Sequence, residues 1–367
     1  MKIIFRNKIN TLINSALILG VLSFSTCLDP IELDIPEGYD NTLVIQGVLV
    51  KGNPSTFQLT VSRLFDFTPE SVERVNVREV ILTDEENNSV EIERTGTGFY
   101  ETTFGPDNTD IDIEVGKSYK INFSTFDGRS FESHFEPLVD VPEIDTITFE
   151  PISKELVFAD GTTTVQDSAV RFYVNTPLAP ANSEESVSLL WNLRETFIVS
   201  QPRSFTDPKV CYITENLEVT SVKVFDGVNT SASRIDQLAI HDHDFNARLA
   251  EGNYFEIIQY GLSPGAFNYW EQISEVLDRD GNMFETPAGR ISTNFFNTVD
   301  STAQVFGYFY ATTSDTSRVF VAPEVARNPR TLCPPLGMSD NPCPEPLCCD
   351  CLDAPISTVV RPSFWRQ

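Results

Sequence analysis

Between Asn41 and Pro137 the apolar residues fall into short runs separated by turn formers. TLVIQGVLV (Thr42–Val50) gives way to a turn at Lys51–Pro54 and then to STFQLTVSRLF, where Phe57, Leu59 and Val61 alternate with polar neighbours. A period of two puts these side chains on one face of a half-buried strand. VREVILTD, SVEIER, the glycine turn TGTGFYE, IDIEV, KSYKINFST and RSFESHFEP continue the pattern, with Phe126-Asp127-Gly128 as a hairpin turn. Roughly seven or eight strands at this spacing predict a β-sandwich over residues 41–140.

The stretch Pro137–Pro151 reads as a linker into a second β-rich domain over residues 141–327. RFYVNTP and SVSLLWNLRETFIVS read as strands, residues 200–216 as a loop carrying Cys211, and YFEIIQYGL as a buried central strand. One helix is predicted over residues 263–280. Ser263 suits the N-cap, Pro264 the first turn and Gly281 the stop. Phe267, Trp270, Ile273, Val276 and Leu277 make one apolar stripe at helical spacing. GYFYATTS and SRVFVAP add strands, and residues 328–367 form a Pro/Cys-rich C-terminal segment. The expected fold is mostly β.

The N-terminus adds a location. Lys2, Arg6 and Lys8 precede an apolar run, Ile9–Leu22, and then Ser23, Phe24, Ser25 and Thr26 lead to Cys27. A basic start followed by a short apolar region describes a secretory signal, and the run is short of the 20 or so residues a helix needs to span a bilayer. Small residues before a cysteine resemble a bacterial lipobox, which implies residues 1–26 as signal peptide and Cys27 as the lipidated residue. Phe24 and Thr26 depart from the usual pattern there. Residues 27–40, with Asp29, Glu32, Asp34, Glu37 and Asp40, form an acidic tether, self-repelling and extended. That tether resembles the export signal of surface lipoproteins in Bacteroidetes-type bacteria.

Net charge is −27 over the chain. Phosphate backbones would be repelled, so nucleic-acid partners are not expected, and contact with a bilayer is expected through the acyl anchor only. Six cysteines remain beyond Cys27: Cys211, Cys333, Cys343, Cys348, Cys349 and Cys351. An even count outside the cytoplasm reads as disulfides. A zinc knuckle needs two separated Cys/His pairs, and no histidine lies near this cluster. The surrounding prolines forbid regular structure, so cross-links are the natural way to order the tail. Neighbouring Cys348 and Cys349 should bond to different partners, with Cys211 a distant candidate for one of them.

DIPEGYDNTLVIQGVLV, VPEIDTI, YGLSPGAFNYWEQISEVLDRDGNMFETPAGRISTNFFN, QVFGYFYA and the closing CCDCLDAPISTVVRPSFW stand in this order along the chain. Together they resemble the Bacteroidetes lipoprotein family catalogued as domain of unknown function 4249. The order VREVILTDEENNSVEIERTGTGFYE also resembles immunoglobulin-like and carboxypeptidase-regulatory-like modules. The lipoprotein family has no assigned chemistry. Its members resemble surface accessory proteins encoded beside TonB-dependent transporters, so the resemblance implies location and company.

Enzymatic motifs are missing: there is no G-x-S-x-G elbow, no H-E-x-x-H helix and no phosphate-binding P-loop. AIHDHDFN (Ala239–Asn246) has two readings. On a strand, His241 and His243 share one face and offer two imidazoles for Zn²⁺ or Cu²⁺; otherwise the stretch is a polar loop. DRDGN, with Asp278 and Asp280, resembles a calcium-loop fragment whose glycine is misplaced for an EF-hand. Around Tyr269, the more exposed of Phe267, Tyr269 and Trp270, an aromatic platform is conceivable. Arg361, Phe364 and Trp365 in RPSFW either plug a groove or anchor a partner. The expected function is a non-enzymatic accessory subunit of an outer-membrane β-barrel, a TonB-dependent transporter first and an assembly complex second, facing the cell exterior. No cofactor is expected beyond the lipid anchor. The alternative of another class is a metal-assisted hydrolase built on His241 and His243.

Overall fold

The computed structural model describes residues 42–64, 72–105, 110–157, 164–201, 207–217, 222–277, 291–333 and 345–365. Cys27, Cys343, Asp278 and Asp280 lie outside them. The described chain is mostly β, as its patterning predicts. The first nine strands are β1 (Leu43–Lys51), β2 (Ser55–Arg63), β3 (Arg78–Asp84), β4 (Ser89–Ile92), β5 (Arg94–Gly96), β6 (Phe99–Phe104), β7 (Ser118–Ser124), β8 (Ser130–Ser133) and β9 (Glu136–Val139). They are followed by β10 (Thr146–Val157), β11 (Thr164–Pro177), β12 (Ser188–Ser200), β13 (Val210–Asn216), β14 (Lys223–Phe225), β15 (Arg234–Asp244) and β16 (Asn253–Leu262). After the helix α1 (Pro264–Leu277) come β17 (Phe295–Asn297), β18 (Val305–Val321) and β19 (Ser357–Thr358).

The period-2 runs fold as their pattern dictates. Leu43, Ile45 and Leu49 of β1 point inward, as do Phe57, Leu59 and Val61 of β2 and Tyr119, Ile121 and Phe123 of β7. These residues share one core with Phe295 of β17 and with Val305, Phe309 and Ala311 of β18. The sandwich expected over residues 41–140 is therefore completed by strands from the far end of the chain. β1 is flanked by β2 on one side, antiparallel, and by β18 on the other, parallel, from Leu43↔Val305 to Lys51↔Thr313. β17 pairs with β8.

β18 then continues into the second sheet. Its second half pairs antiparallel with β16, from Tyr260↔Ser314 to Asn253↔Val321. β16 pairs with β12, and β12 with β13 and β14. β16 is buried almost throughout because it has a strand on each edge. A separate sheet, β10-β11-β15, covers this one. Val170, Phe172 and Val174 from the one meet Trp191, Phe255 and Ile257 from the other in a second core, where each full side-chain burial is worth about 1.5–3 kcal/mol.

The linker between the two cores is bonded along its length to β18 and β16. Thr313 Oγ1 accepts the Val141 N–H at 2.8 Å, and Asp315 Oδ2 accepts that of Ile144 at 2.7 Å. Gln259, fully buried, accepts from Trp191 Nε1 at 2.7 Å and donates to the Pro142 carbonyl at 2.8 Å. A buried amide with donors and acceptors both matched holds position without a desolvation penalty. Gly307 is fixed by the same junction. Its φ is +102°, and a Cβ there would run into the Ile45 carbonyl of β1.

α1 starts at Pro264 with Ser263 as N-cap, its Oγ accepting the Ala266 N–H at 3.1 Å. The same hydroxyl donates to Glu136 of β9, whose other oxygen accepts from the Tyr308 hydroxyl at 3.1 Å. Burial raises the Glu136 pKa, against the pull of these hydrogen bonds. The buried face differs from the predicted stripe. Ala266 and Tyr269 are the buried residues, and Phe267, Trp270 and Ile273 pack beside them, whereas Val276 and Leu277 are exposed.

The tail is ordered by cross-links, as its cysteines predict. Cys211 bonds to Cys351 and Cys333 to Cys348, and Cys349 is also in a disulfide. Two details correct the expectation. Cys211 sits on strand β13 rather than in a loop, because β13 pairs with the end of β12 and turns Cys211 and Ile213 inward. Its partner is neither Cys348 nor Cys349. Cys348 lies in the turn Pro346–Cys349, and Cys351, buried at the start of the next turn, reaches β13 instead.

Two outcomes test this architecture. Gly307→Ala should destabilise the protein by about 2–4 kcal/mol, through a clash with the β1 backbone and a positive φ. Gly105→Ala, with open space around its Cβ position, should be near neutral; equal urea midpoints for the two variants would contradict the close β1–β18 approach. Cys211→Ala/Cys351→Ala, which opens a closure spanning 140 residues, should cost about 3–5 kcal/mol, read as a lower thermal midpoint.

Candidate functional site

Of the two readings of AIHDHDFN, the strand is the one observed: His241 and His243 lie on β15, antiparallel to β11. Both imidazoles enter the second core. His241 stacks on Phe172 at 6.5 Å between centroids and His243 meets Phe255 edge-on at 4.8 Å. The intervening aspartates are occupied elsewhere, Asp242 in a two-pronged pair with Arg171 at 2.7 and 2.8 Å and Asp244 with Lys154. Beneath the histidines the buried Glu195 carboxylate takes Arg248, which also reaches Glu215 at 2.8 Å, and accepts from Asn253 Nδ2 at 2.6 Å. His243 Nε2 is 3.2 Å from Asn246 Nδ2 and 3.9 Å from Glu195. Among the described residues no group of three or more His, Cys, Asp or Glu side chains is arranged to hold a metal ion. The pair is packed as part of the core.

The aromatic candidates are also packed. Tyr269 is 3% exposed, its ring stacked on Tyr308 at 5.3 Å. This corrects the expectation of an exposed ring: its hydroxyl finds a partner in Gln46, so the apolar body can be buried without an unmet polar atom. Trp365 is buried against Tyr212 and Tyr254, at 5.1 and 5.0 Å. Phe364 meets Tyr254 at 5.4 Å and lies under the Arg318 guanidinium at 4.9 Å. Arg361 donates twice to the Trp365 carbonyl, at 2.9 and 2.6 Å. Of the two roles the sequence allows for RPSFW, the plug is the one observed.

One open feature among the described residues has no signature in the sequence. A cleft of about 540 Å³ lies where β18 passes from β1 to β16. Its walls come from i, i+2 pairs on successive strands: Thr56 and Gln58 of β2, Val48 and Val50 of β1, Ser314 and Thr316 of β18, Ile258 and Tyr260 of β16, and Asn192 and Arg194 of β12. Tyr260 and Asn216 complete the polar lining, and Arg194 is the one charged residue in it. Cross-strand register places Asn216, Arg194, Glu256 and Arg318 in a single row over β13, β12, β16 and β18. Both guanidiniums bind the one carboxylate of Glu256, which is 8% exposed. Two cations on one anion leave one positive charge in excess, in a protein of net charge −27. Arg194 Nε has no hydrogen-bond partner.

These features define a β-rich body with a cleft of mixed lining at the junction of its two largest cores. A family model described as Domain of unknown function (DUF4249) matches residues 28–318, and the chain belongs to that family. No curated protein and no solved structure matches the chain. The matched range contains the first core, most of the second and most of β18; Val321 and Ala326 of the second core and the cysteine-rich tail follow it.

The buried histidines give a pH dependence. Burial depresses both, to a pKa of about 4, and for His241 the neighbouring His243 adds to the effect. In the unfolded chain they protonate near 6.5. Their contribution to stability is therefore complete above about pH 6.5 and is lost as pH falls toward 4. Glu136, with its raised pKa, contributes in the opposite sense and softens the slope. The unfolding free energy should fall by about 2–4 kcal/mol between pH 7 and 5. His241→Phe/His243→Phe should flatten that profile, and an equally steep profile in the double variant would remove the histidines as its cause.

Proposed function

We propose that the protein is a non-enzymatic lipoprotein of the outer-membrane surface, anchored through Cys27, and that it serves as accessory subunit of an outer-membrane β-barrel, a TonB-dependent nutrient transporter. The observation that carries this reading is the sequence leading into the body. A basic and apolar signal ends at Cys27, and an acidic tether runs from there to β1. Multiple acyl chains on such a cysteine anchor stably where one chain would not. The five described cysteines beyond it are all in disulfides, which suits an oxidising exterior. The tail also offers apolar surface: Ile356 and Val360 are 60% and 72% exposed on either side of β19. A partner docked beside β19 would take both side chains out of water.

The test is to grow the natural host with a labelled fatty acid, then isolate the tagged protein from outer membranes in mild detergent. The expected result is a labelled polypeptide, unlabelled when Cys27 is replaced by serine, with a transporter barrel at equal stoichiometry. Co-purification of an assembly barrel instead would move the protein to the outer-membrane assembly machinery. An unlabelled chain with no barrel partner would overturn the reading.

A further inference from the structure

We propose that the cleft at the junction of the two cores binds an acidic saccharide, a polyhydroxylated chain bearing carboxylates. Three observations converge on that chemistry. The lining carries one charge and mixes side-chain amides (Gln58, Asn192, Asn216) and hydroxyls with aliphatic side chains and the Tyr260 ring. Amides donate and accept together, which suits vicinal hydroxyl groups that do the same, and an aromatic ring with a polar rim suits the C–H face of a sugar. The single charged side chain of the lining is Arg194. Because Arg194 and Arg318 share Glu256, the row retains one unneutralised cation, the complement of one carboxylate.

Backbone pairing argues for a saccharide over an extended acidic peptide. Peptides that add to a sheet need a free strand edge. β1 is flanked by β2 and β18, β16 by β12 and β18, and β12 by β16 with β13 and β14. The strands at the centre of the cleft therefore have no open backbone edge, and recognition there falls to side chains. In an acidic protein, the local excess cation favours a carboxylate at the row, and salt weakens that attraction.

This inference names a ligand for the body and stands apart from the barrel partner, so the two fail separately: the ligand is titrated against the purified full-length protein with no barrel present. The probe is a short oligogalacturonate, followed by calorimetry, with its methyl ester as the uncharged control and an acidic peptide as the alternative. The acid should bind, and the ester should bind at least about tenfold more weakly, as expected for loss of one charge-assisted pair. Ser314→Trp, at an exposed position on the cleft wall, should abolish binding while leaving the unfolding midpoint unchanged. Arg194→Gln should bring the acid down to the affinity of the ester. No binding at millimolar acid, equal affinity for acid and ester, undiminished binding by Ser314→Trp, or binding of the peptide alone would each overturn the assignment.

Discussion

The structure depends on one strand serving two cores. β18 runs for 17 residues; its first half closes the sandwich formed by the start of the chain, and its second half pairs with β16 over the second core. Backbone hydrogen bonding is an obligatory demand on every buried N–H and C=O, so a continuous strand cannot be withdrawn from one core without stripping pairings from the other. The bonded linker, Gln259 and the Glu136–Ser263–Tyr308 cluster act on the same region. They tie the segments before β10 and at the start of α1 to β18 and its neighbours. Rigidity at the junction is the physical basis for a preformed cleft there, since a wall built from two independently moving bodies would have no fixed lining.

Local physics made much of this legible. Alternation in β1, β2 and β7 gave the inward residues directly, and the aromatic and β-branched density of YFEIIQYGL marked the central strand now seen as β16. Ser263 and Pro264 gave the helix start to the residue. The cysteine count and the proline-rich context gave a cross-linked tail. What stayed hidden was non-local. Nothing in residues 43–51 announces a parallel partner in residues 305–313, because parallel pairing is set by a contact far along the chain rather than by a turn. The helix stripe was rotated because a tyrosine counts as half polar in any periodicity argument, yet Tyr269 meets its hydroxyl's demand inside. The run around Cys211 reads as a loop because it is short and flanked by polar positions, and pairing with β12 overrides that.

The cleft was illegible for a related reason. Each strand contributes one or two outward polar residues, and Thr56-Phe57-Gln58 or Ser314-Asp315-Thr316 reads in isolation as an ordinary solvated face. Only the register of β13, β12, β16 and β18 gathers Asn216, Arg194, Glu256 and Arg318 into a row. The histidines show the converse. Two imidazoles and two aspartates in four residues look like chemistry, yet the alternation of β15 sends the imidazoles into the core and the carboxylates to Arg171 and Lys154. Spacing that suggests a metal site in sequence was, in space, two different faces.

The parallel pairing of β1 with β18 also has a mechanical meaning. β1 is the first described strand, and it is gripped on both edges by neighbours paired along nearly its whole length. A pull on the chain ahead of Thr42, directed along β1, loads those rungs simultaneously, in shear, instead of peeling them one by one. Load applied at this end would pass into the shared strand, and so into both cores, before any rung gave way.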